Sequence, residues 1–115
     1  MNSAFTLKKN SDFRRLYAKG KSSANRCLAL YCRRNRGAVN RMGYTVSAKL
    51  GGAVVRNRVR RRLREIARLS APRLKTGWDI VVVARSRAVA ADYRELERAY
   101  LDACGKLGLL REEET

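Results

Sequence analysis

Between Arg56 and Arg68 the chain reads Arg-Asn-Arg-Val-Arg-Arg-Arg-Leu-Arg-Glu-Ile-Ala-Arg, seven arginines against one glutamate. So charged a segment cannot be buried, and a helix built from it needs an apolar stripe to dock on a fold. That stripe exists: at about 100° per residue, Val55, Val59, Leu63 and Ile66 fall on one narrow face. Asn57, Arg61, Arg64 and Arg68 then share the outward face, with Arg58, Arg62 and Glu65 on one flank and Arg56 and Arg60 on the other. Like charges three and four residues apart repel. Glu65 alone does not balance them as the acids of an ordinary solvated helix would. The pattern predicts a helix held on a sheet by its apolar stripe, with a polyanion against its outer face.

The rest of the chain carries the same bias. Its 115 residues hold 27 Lys plus Arg against 10 Asp plus Glu, a formal charge of +17. With 45% apolar residues and one proline, the length suits one domain with a real core. The expectation is a single RNA-binding domain over residues 1–115, with an ordered core of about 5–110 and an acidic tail, 111–115, carrying Glu112, Glu113 and Glu114. Such a charge points to nucleic acid first and an anionic membrane surface second. Arginine also outnumbers lysine, which favours forked hydrogen bonds to phosphate.

The chain contains no histidine, so imidazole acid–base catalysis, Ser-His and Cys-His nucleophiles and histidine-ligated metals are excluded. Cys27, Cys32 and Cys104 form an odd set, and Cys27 and Cys32, five apart in one predicted strand, point to opposite faces. Neither a disulfide framework nor a metal pair is expected from them. No apolar run approaches the roughly 18 to 20 residues that span a bilayer, and no signal-peptide pattern opens the chain. The expectation is a cytoplasmic protein.

Periodicity predicts the order α-β-β-α-β-α, an α+β sandwich. Ser11 is expected to cap a short helix through Phe13, Leu16 and Tyr17, which Gly20 ends. Arg26 to Arg34 alternates as a strand, with Leu28, Leu30 and Cys32 on one face and Cys27, Ala29, Tyr31 and Arg33 on the other. Met42 to Lys49 alternates again and sets Ser47 and Lys49 on a small, polar face. Gly51 and Gly52 break that strand before the arginine helix, expected from Val54 to Leu69, and let a phosphate approach its N-terminus, although no GxxxxGK pattern is present. Ile80 to Arg85 reads as a strand covered on both faces. Asp92, with Glu95 three residues on, opens a last helix with the stripe Tyr93, Leu96, Tyr100, Ala103 and Leu107.

The run Lys49-Leu50-Gly51-Gly52-Ala53-Val54-Val55-Arg56-Asn57-Arg58-Val59-Arg60-Arg61-Arg62-Leu63-Arg64-Glu65 closely resembles the signature of the bacterial ribonuclease P protein family. Leu7-Lys8-Lys9-Asn10-Ser11-Asp12-Phe13, Ala24-Asn25-Arg26, Tyr31 and the strand Asp79 to Arg85 resemble it in order and spacing, so the likeness covers residues 5–107. It implies a four-stranded mixed sheet and a left-handed β-α-β crossover through the arginine helix. The fourth strand is not placed by periodicity, and handedness statistics alone would predict a right-handed crossover.

The resemblance further implies maturation of transfer RNA, in which a catalytic RNA with bound Mg²⁺ hydrolyses the phosphodiester joining the 5′ leader to the tRNA. The protein would supply no nucleophile, no general base and no metal motif. Arg56, Asn57, Arg58, Arg60, Arg61 and Arg64 match the family's arginine-rich motif, implied to touch the catalytic RNA, and Arg68 continues their outward face. Phe13, Tyr17 and Tyr31 match the aromatic positions of a cleft for the single-stranded leader. By charge and geometry Ser47 and Lys49 line the same groove, with Lys8, Lys9, Arg14 and Arg15 at its rim. The implied partners are the catalytic RNA and precursor tRNA. A ribosomal or general RNA-binding protein without a tRNA-processing role is the alternative. Arginines all round the polar arc suit phosphates better than base edges, against a DNA reader. The narrow stripe lacks the Trp or Phe anchors of a membrane-surface helix.

Overall fold

The computed structural model describes residues 10–111; Leu7, Lys8, Lys9 and the tail glutamates lie outside them. The elements are α1 (Asn10–Lys19), β1 (Lys21–Ala24), β2 (Leu28–Arg34), β3 (Arg41–Thr45), α2 (Ala53–Ser70), β4 (Trp78–Ala84), α3 (Arg87–Ala90) and α4 (Tyr93–Lys106). Short 3-10 turns, Ala48–Leu50 and Ala71–Arg73, precede and follow α2.

The strands form one mixed sheet in the order β1-β2-β4-β3. β2 runs antiparallel to β1 and β4, whereas β3 and β4 are parallel and joined through α2. The sheet has two unequal covers. On one face Leu28, Leu30, Cys32, Ile80 and Val82 pack with Val59, Leu63 and Ile66 of α2 and with Leu96, Tyr100 and Ala103 of α4. On the other face, among the described residues, only α1 lies across the strands, and Leu16 is buried on Val81 with Phe13, Tyr31 and Val83 around them. β4 is therefore covered on both sides, as its continuous apolar run predicts.

Three expectations are corrected and the unplaced strand is located. Ser11 does not cap α1 but lies within it, because the helix already includes Asn10. The second predicted strand stops at Thr45: Val46 turns into the core, and Ser47 caps the 3-10 turn by accepting a hydrogen bond from the Lys49 amide. Apolar residues at 46 and 48 prolong the alternation by coincidence. Cys27 precedes β2, in the bend after β1, so Cys27 and Cys32 both enter the core under the helices instead of pointing to opposite faces. The strand missing from the periodicity is β1, Lys-Ser-Ser-Ala, a mostly exposed edge formed by pairing with β2.

Local chemistry sets the remaining joints. Asn25 closes the β1–β2 hairpin: its Oδ1 accepts from the amides of Cys27 and Leu28, and its Nδ2 donates to the Ala99 carbonyl of α4. Asp92 caps α4 by accepting from the Glu95 amide at 2.8 Å. Glu95 does not complete a capping box; its carboxylate takes Nε and Nη2 of Arg87 at 2.7 Å each. That pairing holds the Glu95 carboxyl below its ordinary range, and burial raises the neighbouring Cys27 thiol. All three cysteines are buried free thiols.

Candidate RNA-binding surfaces

Two surfaces collect the residues singled out by sequence, one on each side of the sheet. The first is the outer side of α2. Val59, Leu63, Ile66, Ala67 and Ser70 are buried against the sheet and α4, which leaves Asn57, Arg61, Arg64 and Arg68 exposed as the helical period requires. No acid occupies the first turn of α2, and its N-cap, Gly52, contributes no side-chain bond. The helix N-terminus thus adds unneutralised positive potential to the arginines.

The arginines divide by what they touch. Arg56 Nε donates to the Gly51 carbonyl at 3.2 Å, tying the helix to its entry turn. Arg58 and Arg62 reach sideways to the Val89 and Ala91 carbonyls around α3, so Arg58 is half-buried on the flank. Arg60 donates to Asn57 Oδ1, and Arg68 forms an ion pair with Glu65. Arg64 lies 5.8 Å over the Tyr44 ring, an exposed cation braced on the edge of β3. Arg61 makes no hydrogen bond or ion pair with another described residue.

The second surface is the cleft between α1 and the sheet. Pairing register arranges its floor in rows across the strands. Ser22, Tyr31, Val81 and Gly43 form the middle row, which α1 crosses. Ala24, Ala29, Val83 and Thr45 form the row on one side of it. Tyr17 of α1 leans over this floor, 43% exposed, and its ring meets Tyr31 edge to face with centroids 4.9 Å apart. Phe13 is half-buried against Leu16 and Val81, a wall of the cleft as much as part of its core. Gly20 permits the close seat of α1: a Cβ there would lie 2.6 Å from the Leu16 carbonyl oxygen and 2.8 Å from that of Cys32.

Ser47 and Lys49 are exposed, on the 3-10 turn beyond β3 and not on the strand face predicted for them. This turn joins the end of the cleft floor at Thr45 to the start of α2, so the two side chains stand between the surfaces. Arg14 and Arg15 are exposed on α1. Arg33 and Arg41 also reach the cleft floor. Alternation puts Arg33 on the Tyr31 face, but its alignment with Arg41 is a matter of register, which local sequence does not carry.

Among the described residues no group of three or more His, Cys, Asp or Glu is placed to hold a metal ion, and no helix is long and apolar enough to cross a membrane. The site's chemistry is cationic and aromatic: guanidinium groups for phosphate and rings for unpaired bases.

Comparison with known proteins agrees with this geometry. Residues 1–108 match the family described as Ribonuclease P. The ribonuclease P protein component of Alkaliphilus oremlandii is 46% identical over 104 residues, 90% of this chain and 91% of that protein. That of Alkaliphilus metalliredigens is 44% identical over 110 residues, 96% of this chain and 99% of that protein. The solved RNase P protein of Staphylococcus aureus superposes with a TM-score of 0.86 at 32% identity, covering 93% of this chain and 98% of that one. The RNase P protein of Thermotoga maritima gives 0.80 at 29% identity, covering 95% and 98%.

Fold and surfaces define a small, strongly basic α+β protein with an arginine-rich helix on one side of its sheet and an aromatic cleft on the other. The chain belongs to the ribonuclease P protein family. Membership sets aside the ribosomal reading.

Proposed function

We propose that the protein is the accessory subunit of a tRNA-processing endoribonuclease, binding a catalytic RNA through α2 and the 5′ leader of precursor tRNA through the α1 cleft. The observation that carries this reading is the pairing of two unlike surfaces on opposite faces of one sheet. A general RNA-binding protein needs a cationic face; it does not need an aromatic cleft behind it.

On this reading Asn57, Arg61, Arg64 and Arg68 form the centre of the catalytic-RNA contact, with Arg56, Arg58 and Arg60 at its borders. They act by neutralising phosphates and by releasing the counterions condensed on them. Tyr17 and Tyr31 stack on unpaired leader bases, Phe13 walls the groove, and Ser47 and Lys49 bind backbone where the leader passes from cleft to catalytic RNA. Base–aromatic stacking tolerates any sequence, which suits one protein serving many leaders.

The hydrolysis itself belongs to the RNA. The chain has no histidine, and burial holds its thiols protonated, so neither an imidazole nor a thiolate base is available at neutral pH. Mg²⁺ is held mainly by the RNA, where it supplies charge stabilisation and an activated water. The protein's side chains instead hold the leader-bearing substrate against that RNA. The setting is the cytoplasm, with neither DNA nor membrane as a partner.

The buried native cysteines make a direct test available. A Ser47→Cys or an Arg61→Cys variant carries one exposed thiol, and a photo-cross-linker attached there reports its RNA neighbour in the assembled complex. The expected result is leader capture from Ser47→Cys and catalytic-RNA capture from Arg61→Cys. Capture of mature tRNA sequence alone, or no leader adduct at all, contradicts the assignment.

A further inference from the structure

Beyond the aromatic rows, the cleft floor ends in a charged row. Arg33, Asp79 and Arg41 stand side by side across β2, β4 and β3. This row is four strand residues from the one containing Thr45, about 13 Å along the sheet. Above it, α1 contributes Arg15, and the loop after β2 contributes Arg36. Together they line a cavity of about 200 Å³.

The cavity carries an uncompensated positive charge. Asp79, its deep carboxylate, is already saturated: Arg41 donates to it through Nε at 2.8 Å and Nη2 at 2.6 Å, and Asn35 Nδ2 donates at 3.0 Å. Asp12 on α1 is the second acid in the lining. Arg15, Arg33, Arg34 and Arg36 form no ion pair with another described residue, and with Arg34 laid over the Trp78 ring the other three guanidinium groups are set against one unpaired carboxylate.

Asn35 organises the loop that presents Arg36. Asn35 Oδ1 accepts from the Gly37 amide at 2.7 Å, its Nδ2 also donates to the Val39 carbonyl, and its amide donates to the Gly77 carbonyl. These bonds hold Arg36 at φ 63°, the only non-glycine residue in the left-handed region among those described. A side chain adopts that backbone at a cost, and such outliers concentrate at binding sites.

We infer that the Arg15–Arg33–Arg36 cavity is a phosphate site for RNA backbone, taking the part of the leader that extends past the aromatic cleft. This rests on the proposed function, which sets the cleavage end at Ser47, Lys49 and the start of α2. The charged row lies at the other end of the floor and is the distal end. Forked guanidiniums in a lining whose one apolar member is Leu16 suit a phosphodiester. An acidic protein segment is the competing occupant.

The test uses the assembled holoenzyme and precursor tRNAs whose leaders are lengthened one nucleotide at a time, comparing wild type with an Arg33→Gln/Arg36→Asn variant. Asparagine tolerates the left-handed turn, and an Arg15→Gln variant on α1 provides an independent second arm. Wild-type affinity should rise again once the leader outgrows the aromatic rows, on the order of tenfold, with a salt slope steeper by about 0.7 for each additional phosphate bound. Both variants should lack the second rise, so that their affinity falls further below wild type as the leader lengthens. Absence of that rise in wild type, its survival in both variants, or an equal weakening at every leader length overturns the inference. If wild type fails to distinguish leader-bearing from mature tRNA at any length, the proposed function fails as well.

Discussion

Tyr17 on a helix and Tyr31 on a strand meet edge to face, their ring centroids 4.9 Å apart and their planes at 78°. Neither ring is needed to fill the core: Tyr17 is exposed and Tyr31 half-buried, while Leu16 and Val81 close the space beneath them. Two rings kept partly open to solvent at one edge of a basic cleft form a surface on which an unpaired base can stack.

Replacing Tyr31 by Ala should therefore weaken holoenzyme binding of leader-bearing tRNA by about 1 to 3 kcal/mol, with mature tRNA unaffected. Tyr31→Phe should retain most of the affinity. Equilibrium binding of the two tRNAs to each variant checks this; an equal weakening for both would return Tyr31 to a structural role.

Gly20 sets where that cleft stands. A Cβ would press on two backbone carbonyls, of Leu16 and Cys32, and neither can rotate away. Gly20→Ala should cost about 2 kcal/mol of stability in denaturant unfolding. It should also loosen leader discrimination by shifting α1 from β2. A variant as stable as wild type would show that the helix end slides freely.

The proposed contact of α2 with the catalytic RNA predicts a different signature. Arg61→Ala/Arg64→Ala should leave the fold intact, since both side chains are exposed, and should weaken assembly with the RNA. The slope of log affinity against log salt should fall by about 0.7 to 0.9 for each phosphate that is no longer neutralised. Titration over a salt series with circular dichroism as the control reads both; an unchanged slope would contradict the phosphate assignment.

Much of this was legible in the sequence because it is local. The α2 outer face follows from the helical period, and the inward face of β2 follows from alternation at Leu28, Leu30 and Cys32. What escaped depends on distant partners. β1 is polar and exists through its pairing with β2, and Ser47 left the strand because its side chain caps a turn. The Arg33–Asp79–Arg41 row arises from register alone.

Alkaline pH should unfold the protein through its helix-side core. Burial pushes the Tyr44 hydroxyl from 10 up to about 12, with Arg64 partly opposing, and the Cys104 thiol from 9 up to about 12. Each group holds its proton more tightly when folded, so its contribution is complete below the unfolded value and is lost as pH rises through the folded one. Melting temperature should therefore fall from about pH 9 towards 12, and less steeply in Tyr44→Phe above pH 10. Parallel slopes for the two proteins would show that Tyr44 ionisation plays no part.

If the α2 face and the α1 cleft work together, this chain makes a catalytic RNA act on leader-bearing tRNA. The decisive assay is cleavage of precursor tRNA by the cognate catalytic RNA, at low Mg²⁺ and near-physiological salt, with and without the protein. Release of the 5′ leader at the mature end should depend strongly on the protein, with none from the protein alone. An active RNA that gains nothing from the folded protein would contradict the proposed function.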